Sequence, residues 1–310
     1  MVKLSRRLMR LADEVKTGDR VADIGTGHGL LPIFLYENKR ASQVILCDIN
    51  EGPLEKARQN INARGAGGIT DIRLGDGLEP LKPAEADTVI IAGMGGQLMI
   101  DILSKDIEKA KTYARLVLQP RNAPEKLRRW LIFCGFSIIN ESLVREGKYI
   151  CEVITAVPDE AKSIAAPGRN PAEGKESGGP APEAAETKES GGPAPGAAEG
   201  KESGGPGAEA AEGKKSGGPG AEAAGAEADG DFAPFENEIE LELEWEASPL
   251  LFEKRDPLLP EFLERKIRTE REIIRQIMDG SGDPNHQRIR MTEKRLAGFV
   301  KLRQEAGRLL

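Results

Sequence analysis

In VADIGTGHGLLP, Val21 to Pro32, an apolar run ends at Asp23, and Gly25, Gly27 and Gly29 then alternate with Thr26 and His28. A strand that closes on a carboxylate and turns straight into a helix brings bare backbone close to a ligand, and glycines allow that approach. A phosphate loop needs GxxxxGK[ST], and no lysine stands in this turn. A dinucleotide fingerprint, G-x-G-x-x-G, counted from Gly25 would put its third glycine at Leu30. What the turn offers instead is open backbone beside the negative charge of Asp23, which suits a ligand with a cationic part. The alternative is a glycine-rich turn that binds nothing.

Two further acids add to the pattern. Asp48 closes QVILCDI, 25 residues after Asp23. At that place in a Rossmann-like sheet a carboxylate hydrogen-bonds ribose hydroxyls. It could equally cap the helix that follows. Asp76 sits in LGDGL, which also reads as an Asp-Gly turn. Three acids at three successive strand ends are more specific together, because open α/β sheets bind ligands at their carboxyl edge.

The elements that must hold these residues alternate. Apolar spacing at Leu4, Leu8, Leu11 and Val15 predicts a first helix. Strands are expected at 20–24, 43–49, 71–74, 87–92 and 114–118, with helices near 30–37, 51–64 and 124–134. DTVIIA, Asp87–Ala92, is continuously apolar, as in a sheet covered on both faces. Phe136–Leu143 and Tyr149–Val157 are too closely joined for a parallel crossover and read as a final antiparallel pair. The fold class is therefore α/β, a doubly wound, mostly parallel Rossmann-like sheet with an antiparallel last strand.

The spacing Asp23-Gly25-Gly27-Gly29 resembles the first motif of class I S-adenosylmethionine (SAM) methyltransferases. The fourth strand ends in IAGMGG, Ile91–Gly96, where many amino-group methyltransferases carry Asn/Asp-Pro-Pro-Tyr. With LSRRLMRLADEV, VADIGTGHGLLP, GDGLEP, LVLQPRNAPEKLRRWL and EGKYICEVITA, it makes residues 3–157 resemble the bacterial TrmK family of tRNA (adenine-22-N1)-methyltransferases. Residues 236–310 resemble that family more loosely. AGMGG followed by LQP is the specific part. The resemblance implies a Rossmann-like methyltransferase domain with a helical, coiled-coil-like tail. SAM would be held by Asp23, Gly25, Thr26, Gly27, His28, Gly29, Asp48, Ile49, Asp76, Gly77, Ala92, Gly93 and Met94. One departure stands out: the family usually has an Asp where this chain has Gly27.

If the acceptor is adenine N1, which has a free lone pair, transfer needs alignment and exclusion of water rather than a general base. Gly93-Met94-Gly95 is expected to wall the base pocket. His28, Met94, Gln119 and Asn122 are the candidate catalytic residues. The target base must leave its stack to reach them. Arg6, Arg7 and Arg10 on the first helix, with Arg121, Lys126, Arg128 and Arg129, are candidate phosphate contacts. Arg265, Lys266, Arg268, Arg271 and Arg275 form a denser basic cluster in the tail, which could equally be the charged outside of a helical hairpin.

Charge divides the chain in the same way. The whole carries −7, but residues 1–157 sum to +3, 158–247 to −14 and 248–310 to +4. Four 13-residue repeats from Gly174 to Gly225 lack large apolar residues, so 158–235 reads as a disordered linker, spanning roughly 50 Å. Residues 236–247 alternate acids with Ile239, Leu241, Leu243 and Trp245, which suggests a strand. Residues 257–278 and 286–309 read as a helical hairpin or coiled coil, with Leu263, Ile267, Ile274 and Ile277 at near-heptad spacing on the first helix and Ile289, Leu296, Phe299 and Val300 on the second. Isolated cysteines at 47, 134 and 151 and two distant histidines, His28 and His286, argue against a metal site. With no secretory or membrane-spanning signal, a cytoplasmic, single-chain protein with tRNA as partner and SAM as cofactor is the expectation.

Overall fold

A computed structural model describes residues 1–159, 242–281 and 287–309. The core is a seven-stranded sheet: β1 (Asp19–Ile24), β2 (Ala41–Asp48), β3 (Thr70–Leu74), β4 (Thr88–Met94), β5 (Arg115–Pro120), β6 (Phe136–Glu146) and β7 (Tyr149–Pro158). Their order is β3-β2-β1-β4-β5-β7-β6. β1 to β5 pair in parallel, and β7 runs antiparallel to both β5 and β6. The expected α/β fold with an antiparallel end is therefore present. Chain direction across the sheet reverses between β1 and β4, which opens a crevice at their carboxyl ends.

Helices α1 (Arg6–Asp13), α2 (Leu30–Glu37) and α3 (Glu51–Ala63) cover one face; α4 (Gly96–Ser104), α5 (Ile107–Ala110) and α6 (Pro124–Phe133) cover the other. The sequence reading predicted no helix between the fourth and fifth strands, where α4 and α5 lie. Both faces of the central strands are buried, which explains their unbroken apolar runs: Val21, Ile90 and Val117 point into one layer, and Ala22, Val89, Ile91 and Leu118 into the other.

Gly96 illustrates how tightly α4 is seated. Its N–H donates to the Asn122 carbonyl at 3.0 Å. A Cβ there would lie 2.6 Å from the Ala123 carbonyl oxygen and 2.7 Å from that of Asn122. Backbone cannot swing aside as a side chain can. Gly96→Ala is expected to destabilise the protein by about 1–3 kcal/mol, read as a lowered urea midpoint; an unchanged midpoint would show that the β4–α4 junction is loose.

The described tail consists of a helical turn at 242–246, α7 (Pro249–Glu253), α8 (Leu259–Ser281) and α9 (Gln287–Leu309). The strand expected over 236–247 is corrected: 242–246 is helical, and 236–241 lies outside the described residues. The 13-residue repeats and His286 also lie outside them. α8 and α9 pack side by side, with Leu263, Ile267, Ile289 and Phe299 buried. α7 and α8 cover the edge strand β6. There the Leu143 N–H, which no neighbouring strand can take, donates to Asp256 at 2.9 Å, and Arg145 pairs with Glu261. The tail thereby satisfies an edge that would otherwise be left open.

Candidate active site

β1 delivers Asp23 to the crevice, where it is only 6% exposed. Its carboxylate accepts the Thr26 hydroxyl at 2.7 Å. Burial pushes the Asp23 carboxyl up to about 6, against the opposing pulls of the Thr26 hydroxyl and the Arg7 cation. The following turn hangs on the neighbouring strand: the Gly25 and Thr26 N–H groups donate to the Cys47 carbonyl at 2.7 and 3.4 Å.

Gly25, Gly27 and Gly29 all take positive φ, at +74°, +60° and +69°. A Cβ on Gly25 would meet the Met94 methyl at 2.2 Å, and one on Gly29 the Ala57 Cβ at 3.1 Å. Around Gly27 there is nothing within 4 Å. An Asp tolerates the left-handed region, so the acid usual in the family at that position would fit here without a clash. His28 is exposed, and its carbonyl takes a hydrogen bond from Asn60 at 2.9 Å.

Asp48 ends β2 half-buried and accepts the Asn50 N–H at 2.9 Å, so it does hold the start of α3. Ile49 beside it is 62% exposed. Asp76 pairs with Lys105, and a Cβ on neighbouring Gly77 would press on Ile102 at 2.8 Å. Asp23, Asp48 and Asp76 thus follow the carboxyl ends of three adjacent parallel strands. The carboxylates fit hydroxyl and ammonium groups and repel a phosphate.

Across the switch point, β4 ends in Ala92, Gly93 and Met94. The Met94 side chain turns back towards Gly25. Beyond Gly93 lies a cavity of about 560 Å³, lined among others by Arg7, Gln119, Arg121, Glu146, Tyr149 and Glu152. Gln119 is buried. Its Oε1 accepts Arg7 Nη1 at 2.9 Å, and its Nε2 donates to the Pro120 carbonyl at 2.9 Å. Of the expected base-pocket residues, Gly93 and Gln119 line this cavity; Met94 and Asn122 do not. The Asn122 side chain instead accepts the Gly96 N–H at 3.2 Å.

Residues 4–154 match a family profile described as a methyltransferase domain. The domain is 37% identical over 155 residues to the tRNA (adenine(22)-N(1))-methyltransferase of Bacillus subtilis (strain 168), a match covering 50% of this chain and 65% of that enzyme. The resemblance read from AGMGG and LQP is borne out by this likeness. The chain thus spans slightly less than two thirds of that relative in sequence. In structure the likeness is longer. The B. subtilis M1A22 tRNA methyltransferase TrmK superposes with a TM-score of 0.61 at 21% identity, covering 100% of this chain and 99% of that one. M. capricolum TrmK, solved with S-adenosyl-homocysteine, superposes at 0.62 and 21%, covering 98% and 99%. These likenesses show a shared fold that includes the helical tail.

The basic residues around the sheet and in the tail divide sharply. Arg6, Arg121 and Arg268 are exposed, as are Lys126 and Arg271. Arg10 is tied to Ser142 and Glu14, Arg265 to Glu261 and the Lys148 carbonyl, Lys266 to Glu246 and Arg275 to Glu272. Arg129 lies near Glu242 and over the Trp245 ring. Arg128 overturns its expected place as a phosphate contact. It is 2% exposed, donates to Glu141 at 2.7 Å, pairs with Glu152, and reaches the Trp245 carbonyl of the tail at 2.8 Å. Burial works against its charge, and the two glutamates more than offset that and hold its pKa above the ordinary value.

The sequence reading missed the hairpin residues Glu146, Tyr149 and Glu152. EGKYICEVITA contains all three, but nothing in its pattern tells that this turn faces the carboxyl edge.

Among the described residues no cluster of histidine, cysteine or acids could hold a metal ion, and no helix is long and apolar enough to cross a membrane.

Proposed function

We propose that this chain is a SAM-dependent methyltransferase that acts on N1 of adenine-22 in tRNA. The observation that carries the reading is the adjacency of two sites across Gly93. On one side is the acid-rimmed glycine turn; on the other is a cavity large enough for a purine nucleotide, with the guanidinium groups of Arg7 and Arg121 beside it.

When bound, SAM supplies an electrophilic methyl group, which adenine N1 takes with its own lone pair as the carbon–sulfur electrons return to sulfur. The chain's residues hold and orient. Asp23 matches the cationic amino acid end of the cofactor, Asp48 the ribose hydroxyls and Asp76 the adenine edge. Thr26, Gly27, His28, Ile49, Gly77 and Ala92 complete that rim. Gly93 leaves room for the two reactants to meet, and the Gln119 amide, locked by Arg7 and Pro120, closes the pocket to water. Arg7 and Arg121 receive the phosphates of the displaced nucleotide, and exposed Arg6 and Arg268 extend the grip.

Unmodified tRNA incubated with methyl-labelled SAM is expected to gain label as 1-methyladenosine at position 22. Label in protein or small molecules with none in tRNA would replace this reading with a different acceptor. SAM binding without any transfer would leave only a binding protein.

A further inference from the structure

The cavity beside Gly93 is bounded by a buried ion cluster that does not balance. Arg128 faces two carboxylates, Glu141 and Glu152. Its Nε and Nη2 go to these acids and its Nη1 to the Trp245 carbonyl. Glu141 Oε2 is buried with no hydrogen-bond partner. Glu152 is 9% exposed and lines the cavity, and among the described residues none donates to its Oε1. One excess negative charge therefore sits at the cavity wall.

The other charges in the cavity lie elsewhere. Arg7 Nη1 and Arg121 Nε come within 3.8 and 4.0 Å of where a Gly93 Cβ would be. Glu146 takes the Arg7 backbone N–H at 3.3 Å. Strand register places Glu152 across from these. Met94 is level with Pro120 on β5, and continuing the pairing of Leu118 with Ile154 sets Pro120 level with Glu152. The end of β4 and Glu152 are thus two strand spacings apart, about 10 Å. The Glu152 side chain and one hydrogen bond span part of that distance, so a base whose N1 faces Gly93 can present its neighbouring N6 amino group to Glu152.

Methylation at adenine N1 releases no proton. The neutral base becomes a cation whose charge is shared with the exocyclic N6 amino group. We propose that Glu152 is a catalytic residue: its open carboxylate oxygen accepts a hydrogen bond from N6 and offsets the positive charge that develops on the base. This rests on the adenine-N1 reading of the function. Arg128 is then a positioning residue that holds the other oxygen, and its third contact ties that geometry to the tail.

Glu152→Gln keeps an acceptor for Arg128 and removes the excess charge. It is expected to lower kcat on tRNA by about 10²-fold, as loss of one aimed electrostatic group does, with SAM affinity and urea midpoint held. A merely structural ion pair would show the reverse pattern, a lower midpoint with kcat per folded molecule kept. A second readout needs no turnover. The wild-type complex with S-adenosylhomocysteine should bind cationic 1-methyladenosine more tightly than adenosine, and Glu152→Gln should lose that preference. Glu141→Gln, which corrects the same imbalance away from the cavity, should keep most of its kcat. A Glu152→Gln protein that matches wild type in kcat and in nucleoside preference overturns the assignment. A wild-type protein that transfers nothing to tRNA adenine overturns the functional reading instead.

Discussion

Asp23→Asn is expected to abolish useful SAM binding and at the same time make the ligand-free protein more stable. The Asp23 carboxyl has its pKa raised from 3.8 to about 6 by burial. A raised acid favours folding while protonated. That contribution is complete below the unfolded value and lost as pH rises through about 6. At neutral pH the ionised, buried group therefore costs about 3 kcal/mol, from about 1.4 kcal/mol per pKa unit. Asn removes this cost and can still accept the Thr26 hydroxyl. The melting temperature of Asp23→Asn should exceed wild type above pH 6, with the gap closing by pH 4. SAM affinity should drop by at least about 30-fold, since removing one partner of a buried charge pair costs about 2–5 kcal/mol. In the wild type it should weaken about tenfold per pH unit below 6, because the carboxylate must ionise to meet an ammonium. Unchanged affinity in calorimetry would remove Asp23 from the site; a pH-independent gap in melting temperature would refute the burial argument. The site is thus built at the expense of stability.

Arg128→Ala, at a buried side chain that joins the sheet to the tail, is expected to be strongly destabilising. It leaves Glu141 and Glu152 buried together without a cation and frees the Trp245 carbonyl. Breaking a buried pair from one side costs about 3–5 kcal/mol, so the urea midpoint should collapse or the protein should fail to accumulate. The triple variant Arg128→Met, Glu141→Gln, Glu152→Gln, which removes all three charges, should recover much of that loss, because the penalty is for unpaired charge rather than for absent contact. A single variant as stable as wild type would show that water reaches this cluster. The same experiment separates Arg128 from the phosphate-contacting arginines: Arg121→Ala, at an exposed side chain, should leave the midpoint where it is.

The short-range features were legible because each is encoded locally. Apolar runs marked the strands, the alternation of Asp23, Gly25, Gly27 and Gly29 marked the turn, and the short connection at Glu146-Gly147 forced β6 and β7 to be antiparallel. Helix α4 is hidden in the sequence because it opens on Gly95 and Gly96, which carry no helix-start signal, whereas Gly96 is glycine so that α4 can begin against the Asn122 and Ala123 backbone. The strand expected at 236–247 failed where it could be checked. Alternation suggested one buried face, yet Leu243 and Ala247, a helical turn apart, are the residues that bury.

By itself the sequence determined the fold class and the placing of three acids at the carboxyl edge of the sheet, since each depends on residues close together in the chain. Only the tertiary structure decided which cations are spent. Arg128 and Arg129 are adjacent and chemically the same, but one faces Glu141 and Glu152 in the interior and the other faces Trp245 at the surface. The burial that raises Asp23 and the excess charge at Glu152 likewise come from strands far apart in sequence meeting at one crevice, and desolvation acts on that assembled environment rather than on the local chain.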